Sequence, residues 1–323
     1  MDAISIFKEQ IGNRLKLIIL SYEPYNDVFR TYPYHHVLEE DFEQKLAEVL
    51  FDSVVFYAFE KDEIENDYKR GRLDNLRKAA RSAYELRVPK TEKTTDGLMG
   101  ELALDSFIKC FFDEIELLYS RVKYLEKIPQ SKEIPDRKGH EVKGYDGLVF
   151  SKENGQKYMW VGQVKTGTWR YCFDGIKDDI NKSILSYYFS SAMVILADIM
   201  RAIDNCSAEL QKIINDINDI LLDYPYPGKE RDLKIIDYFK AEEIVIRIPC
   251  MIIAEENDYE DEVKLLGEVK QKCKEAFSGF IPINQNELNT EIVLMVFPVR
   301  DINTLRENFL EVRKPDGKQS ETN

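Results

Sequence analysis

The chain has 323 residues and a formal net charge of −14, with 44% hydrophobic and 32% charged residues. This length and balance are typical of a globular protein with one large core or two modest ones, and they count against disordered and fibrous proteins. The negative charge counts against a protein that covers nucleic acid with its whole surface, although it allows a local basic groove.

The cysteines and the apolar segments indicate a protein of the cytoplasm. None of the five cysteines lies in a C-x-x-C pair, and their number is odd, so we predict buried thiols rather than a disulfide framework. The first residues lack the apolar core of a signal peptide. The longest apolar stretch, at 192–200, is interrupted by Asp198 and is too short to cross a bilayer, so no membrane contact is predicted.

Residues 1–92 are predicted to form an N-terminal α/β region. Apolar runs at 15–20 and 54–59 predict two strands, and helical spacing at 39–50 predicts a helix between them. The charged segment 60–86 predicts a long helix or a pair of helices with a break at Gly71.

Residues 93–313 are predicted to form a second α/β domain, and residues 314–323 a disordered tail. The predicted elements are a helix at 98–112, strands at 115–125, 142–150 and 158–164, helical segments at 174–202 and 208–222, a strand at 244–254, a helix at 261–277, a strand at 292–299 and a helix at 302–312. This order predicts a mixed sheet covered by helices on both faces.

A predicted hairpin places two polar residues at the end of an apolar strand face. Asn154-Gly155 is typical of a two-residue hairpin turn, and strand alternation puts Gln163 and Lys165 on one face with Met159 and Val161. A polar pair in such a place is costly to bury unless the molecule uses it.

Two carboxylates are predicted to converge on this pair. Asp146 stands at the start of the partner strand. Glu101 lies on the apolar stripe of the preceding helix, together with Leu104 and Ile108. A helix that packs this stripe on the sheet would direct Glu101 toward the same place.

These residues, in this order, resemble the signature of the PD-(D/E)xK nucleases. Gln163-Val164-Lys165 is similar to the Gln-x-Lys variant of Mrr-type restriction nucleases. The wider frame resembles the HamA family, the nuclease subunit of the Hachiman anti-phage defence system. The motifs that carry this resemblance are Gly100-Glu101, Gly144-Tyr145-Asp146 and Gly162-Gln163-Val164-Lys165. In that family glutamate is expected in place of Gln163.

The resemblance implies a restriction-endonuclease-like core and a metal-dependent DNase, held in check by a partner helicase. Mg²⁺ or Mn²⁺ is the implied cofactor, because such an ion activates water and clamps phosphate oxygens. Glu101, Asp146 and Gln163 are the predicted ligands, although the amide of Gln163 brings no charge. Lys165 is predicted to orient the attacking water and to steady the developing charge.

A basic segment precedes the predicted catalytic helix. Residues 68–90 carry eight basic and two acidic side chains, a net charge of +6, which leaves −14 − 6 = −20 on the rest of the chain. Arg70, Arg77, Lys78 and Arg81 are predicted to track DNA phosphates. A solvated face, or a surface that docks on an acidic patch, is an equal alternative.

Three alternatives to an active nuclease of this family remain open. Lys165 can be a structural residue that forms a salt bridge with Asp146 at a sheet edge. Gln163 favours a nuclease-like subunit that binds DNA or a partner without cutting. Mrr-type restriction of modified DNA is the third.

Overall fold

The computed structural model describes residues 2–21, 29–32, 34–36, 41–59, 61–72, 75–88, 96–111, 115–119, 147–181, 207–226, 228–256, 261–280 and 288–314. Asp146 lies outside these residues, as do the predicted tail after residue 314 and the 182–202 part of a predicted helical segment.

Helices make up much of the described chain. They are α1 (Ala3–Ile18), α2 (Phe42–Ala58), α3 (Lys61–Lys69), α4 (Leu76–Arg87), α5 (Asp96–Phe111), α6 (Trp169–Asp179), α7 (Ala208–Asp223), α8 (Lys229–Ala241), α9 (Glu262–Phe277) and α10 (Ile302–Val312). Side-chain oxygens of Asn75, Ser207, Asp261 and Asp301 accept backbone N–H groups at the starts of α4, α7, α9 and α10. These caps explain why the four helices begin where they do.

A six-stranded mixed sheet forms the centre of the molecule. The described residues contain eight strands, of which six belong to this sheet: β1 (Ile19–Ser21), β2 (Phe29–Tyr32), β3 (Tyr34–His36), β4 (Ile115–Tyr119), β5 (Gly147–Glu153), β6 (Gln156–Gly167), β7 (Val245–Glu255) and β8 (Thr290–Val299). The sheet order is β2-β8-β7-β6-β5-β4, and β1 pairs separately with β3. Strands β4, β5 and β6 are antiparallel, whereas β6, β7, β8 and β2 are parallel.

Helices cover both faces of this sheet. On one, the α5 face, Trp160 and Val164 pack in a core with α1, α2, α4, α5 and α10. On the other, the α6 face, Met159 and Val161 pack in a core with α6, α7, α8 and α9. The predicted α/β class, with a mixed sheet between two helical layers, is therefore confirmed.

The sequence-based assignment is wrong in parts of the N-terminal region. Most of the strand predicted at 15–20 belongs to α1, and the strand predicted at 54–59 is the second half of α2. Every residue from Phe51 to Phe59 is buried, so no polar face reveals the helical period, and burial overrides the strand preference of Val54 and Val55. The predicted helix pair is confirmed as α3 and α4, with Gly71 between them at φ 67°.

One helix was not predicted. α8 lies between the helical segment predicted at 208–222 and the strand predicted at 244–254, and it begins directly after a segment with two prolines, Tyr224-Pro225-Tyr226-Pro227-Gly228. The division at residue 92 stays a prediction, although described helices on both sides of it share the core of the α5 face.

Candidate active site

The candidate active site is built on β6, a central strand of the sheet. The turn that leads into it has Asn154 at φ 51° and Gly155 at φ 84°, the left-handed conformation that two-residue hairpins favour. Gln163 is 4% exposed and lies beside Cys250 of β7 in the parallel register. Lys165 follows it on the same face, because strand side chains alternate.

The side chain of Lys165 lies across α6. Its ammonium Nζ is 2.6 Å from Oδ2 of Asp179, and the two side chains are 23% and 30% exposed. A methyl group placed on Gly175 would come within 2.8 Å of Lys165 Cε and 3.1 Å of Cδ. Gln163 and Lys165 thus lie on the α6 face of β6.

Glu101 lies on the other face of the sheet. α5 packs closely on β6 through Gly100, whose missing side chain leaves room for Val164 and Thr166. The side chains of Val164 and Thr166 point to the opposite face from that of Lys165, because side chains alternate along a strand. The carboxylate of Glu101 is 2% exposed and accepts a hydrogen bond from the Tyr57 hydroxyl of α2. The structure therefore does not place Glu101 beside Lys165.

Two oxygen donors described on the α6 face are the amide of Gln163 and the carboxylate of Asp179, and the latter is already paired with Lys165. Mg²⁺ takes one or two carboxylates together with water and phosphate oxygens, so a metal ion here would need a carboxylate besides Asp179. Across the described stretches, no group of three or more His, Cys, Asp or Glu side chains is arranged to hold a metal ion. Asp146, the predicted carboxylate of this face, lies outside the described residues.

The thiols beneath the site are unsuited to nucleophilic chemistry. Burial raises the pKa of Cys172 to about 12, and the neighbouring Lys165 ammonium opposes this only in part. Burial also raises the pKa of Cys250, with a further increase from Asp179 and a decrease from Lys165. Because the thiolate is the reactive form, these cysteines act as small buried apolar residues.

The predicted DNA-binding residues have different surroundings. Arg70 lies in the turn after α3, so it does not continue the stripe of α4 that carries Arg77 and Arg81. Arg77 Nη2 is 3.1 Å from Asp52 Oδ2, and Arg81 Nη2 donates to the Val312 carbonyl at 3.3 Å. Arg70 and Lys78 are exposed.

The sequence-based prediction missed Gly175 and Asp179. They are four residues apart, so they lie on the same side of α6, one turn apart. A glycine inside a predicted helix, followed four residues later by an acid, was the available signal. This signal can be interpreted only when the strand on which α6 packs is known. That long-range contact cannot be predicted from the local sequence pattern.

The fold defines an α/β protein with a mixed sheet between two helical layers, and the Gln-x-Lys pair lies on a central strand of that sheet. A family model described as HamA matches residues 10–312, so the chain belongs to the HamA family, a component of the Hachiman defence system. The predicted resemblance to this family is thereby confirmed. No curated protein and no solved structure matches the chain.

Within the described residues, no helix has the length and apolar character needed to cross a membrane.

Proposed function

We propose that this chain is a metal-dependent DNase that hydrolyses phosphodiester bonds as the effector of an anti-phage defence system. The observation that carries the proposal is the Gln163 and Lys165 pair on one face of β6, with the Lys165 side chain only 23% exposed. A partly buried ammonium in such a place interacts more strongly with a phosphate than one in open water. Membership in the HamA family supports the same function.

The chemistry assigns a distinct task to each residue. A bound Mg²⁺ or Mn²⁺ would supply an activated water and neutralise phosphate charge. Asp146 and Gln163 would hold the ion through their side-chain oxygens. Lys165 would donate hydrogen bonds to the attacking water or to a phosphate oxygen and so stabilise the transition state. Glu101, also a predicted ligand, lies on the α5 face and accepts a hydrogen bond from Tyr57, so its contribution requires a separate variant.

The partners in this proposal are DNA and a helicase subunit. The net charge of −20 outside residues 68–90 supports a protein partner, because so acidic a surface repels nucleic acid except at a local basic patch. The helicase would restrain a nuclease that could otherwise cut the DNA of its own cell.

The deciding experiment is cleavage of plasmid and linear DNA by the purified chain with Mg²⁺, with Mn²⁺ and with EDTA. Asp146→Ala and Lys165→Ala are compared with the wild type under each condition. Glu101→Gln is added to test the predicted ligand that lies on the α5 face. We expect metal-dependent cutting that both alanine variants lose. Cutting that survives both substitutions would place the chemistry elsewhere.

One structural observation favours a second candidate function. Glu101 contacts Tyr57 on the α5 face, and Gln163 lacks the charge of a glutamate, so a nuclease-like subunit that binds DNA or a partner without cutting is also consistent with the site. Wild type that binds DNA but does not cut it with either metal, alone or with the helicase, would favour this alternative.

A further inference from the structure

The aliphatic chain of Lys165 lies in a space that one glycine leaves open. Gly175 is in the middle of α6, where any larger residue would meet Lys165 at Cγ, Cδ and Cε, between 2.8 and 3.5 Å from a built Cβ. Alanine favours the helical conformation over glycine, so a glycine here is a local disadvantage for α6. The space that it leaves is filled by Lys165.

The charged end of Lys165 meets an acid on the same helix. Asp179 lies one turn after Gly175, and its Oδ2 is 2.6 Å from Lys165 Nζ. The pair is neither open to solvent nor fully buried, with exposures of 23% and 30%. Contact along the aliphatic chain and an ion pair at its end restrict a flexible side chain to few conformations.

We infer that α6 positions Lys165 for the reaction, with Gly175 and Asp179 as its positioning residues. The inference rests on the proposed function, because it concerns the same lysine. It assigns to α6, which the sequence motif does not include, the task of directing the ammonium toward the substrate phosphate. Neither residue needs to touch DNA or a metal ion for this role.

Gly175→Ala separates positioning from folding. The added methyl group meets the far end of a flexible side chain, so it displaces Lys165 at little cost while α6 gains helix preference. We expect a melting temperature at or above that of wild type and a kcat for DNA cleavage lower on the order of a hundred-fold, since small misplacements of a reacting group have effects of this size. KM for DNA should stay unchanged.

Gly267→Ala is the matched control for this substitution. Gly267 lies inside α9, is exposed, and has nothing within 4 Å of a built Cβ. The variant should show the same gain in melting temperature and cut DNA at the wild-type rate.

Asp179→Asn tests the ion pair without changing the size of the side chain. We expect a kcat about ten-fold lower with KM unchanged, and retention of more activity in Asp179→Glu, which keeps the charge. Asp174→Asn is the control, because Asp174 is exposed on the same helix and contacts Arg170 at 3.7 Å. This control should behave as wild type.

A second measurement does not depend on cleavage. The rate at which a water-soluble acylating reagent modifies Lys165 is followed by peptide mass spectrometry at one pH. Loss of one partly exposed ion pair should raise this rate by about threefold in Asp179→Asn, with no change in Asp174→Asn. Gly175→Ala should raise it as well.

The outcomes distinguish this inference from the proposed function. If Lys165→Ala abolishes cutting while Gly175→Ala and Asp179→Asn cut and are modified as wild type, the positioning role is overturned and the nuclease proposal stands. If Lys165→Ala cuts normally, the proposed function fails. If no variant cuts, the modification rates alone decide whether α6 holds the lysine.

Discussion

Neighbouring residues of β6 belong to different environments. Gln163 and Lys165 face α6, whereas Val164 and Thr166 face α5, so a single residue step changes the core that a side chain enters. Gln163 is 4% exposed, so a larger residue in its place would have to displace its neighbours on the α6 face.

Gln163→Glu is a direct test of the metal proposal at this position. A carboxylate binds Mg²⁺ more tightly than an amide, because it adds a negative charge to the ligand set. We expect the Mg²⁺ concentration for half-maximal cleavage to fall about ten-fold, by analogy with the way ligand charge tunes cation affinity.

The control for this substitution is Gln156→Glu, at the other end of β6, where the side chain donates to the backbone of Glu243. An unchanged metal requirement in Gln163→Glu, together with an intact fold, would remove Gln163 from the set of metal ligands.

At the scale of elements, α4 is tied into the fold through Arg77. Asp52 of α2 is buried and forms ion pairs with both Arg77 and Arg14 of α1, and Glu48 lies 3.5 Å from each arginine. The basic segment thus includes at least one arginine whose charge is already matched within the protein.

Arg77→Ala should therefore lower stability. Removing one partner of a mostly buried carboxylate leaves it partly uncompensated, and we expect the free energy of unfolding to fall by about 2 kcal/mol, reduced from the value for fully buried pairs because Arg77 is 27% exposed. Urea denaturation measures the effect, and the exposed Lys78→Ala serves as control. Wild-type stability combined with weaker DNA binding would instead support the phosphate-tracking role.

Glu242 is the residue directly after α8, and its ion pairs connect this helix to β6 and α7. Its carboxylate is 2.6 Å from Lys157 Nζ of β6 and 3.0 Å from Lys212 Nζ of α7. Hydrogen bonds from Lys157 and then Lys212 lower the pKa of Glu242 in the folded state. A lowered carboxyl pKa means that folding favours the ionised form, so this contribution is present at neutral pH and is lost as the pH falls through the folded pKa.

Glu242→Gln should consequently destabilise the protein at pH 7 but not in acid. We expect a loss of at most about 1 kcal/mol, since solvent screens a pair of this exposure. The difference from wild type should shrink below about pH 4, where the unfolded carboxyl also takes up its proton. Glu243→Gln, at the exposed neighbouring position, is the control, and a loss that stays constant as the pH falls from 7 into the acid range would contradict this account.

The sequence predicted elements best where one face is polar. α9 and α10 have a clear period and were predicted almost to their ends, whereas α2 is buried over much of its length and the sequence predicts a strand for half of it. The Gln163 and Lys165 pair follows from strand alternation alone. The place of Glu101 does not, because it depends on the long-range contact of Gly100 with Val164.

At the scale of the whole molecule, the N-terminal region completes the core of the α5 face. Phe42 stacks on Phe297 of β8 with ring centroids 5.5 Å apart, and Phe51 meets Phe309 of α10 at 5.5 Å. β2 also pairs in parallel with β8 at the end of the sheet. The two predicted regions therefore bury each other's aromatic residues.

A fragment of residues 93–313 should accordingly fail to fold independently. It would expose Phe297 and Phe309 to water, and each buried aromatic contributes on the order of 2 kcal/mol or more. We expect no cooperative thermal transition by circular dichroism, whereas residues 1–313, which lack only the predicted tail, should melt as the full chain does. A monomeric 93–313 fragment with a cooperative transition would establish it as an independent domain.

The mixed pairing of β6 has a consequence for biosynthesis. Its antiparallel partner β5 is joined to it by Asn154 and Gly155, so this hairpin can form in about 1–10 μs once it leaves the ribosome. Its parallel partner arrives much later, because Gln163 lies beside Cys250, 250 − 163 = 87 residues further on. Parallel pairing over such a distance is slow. A nascent chain would thus carry Lys165 on an open strand edge until β7 is made, and the proposed active site would remain incomplete throughout that interval.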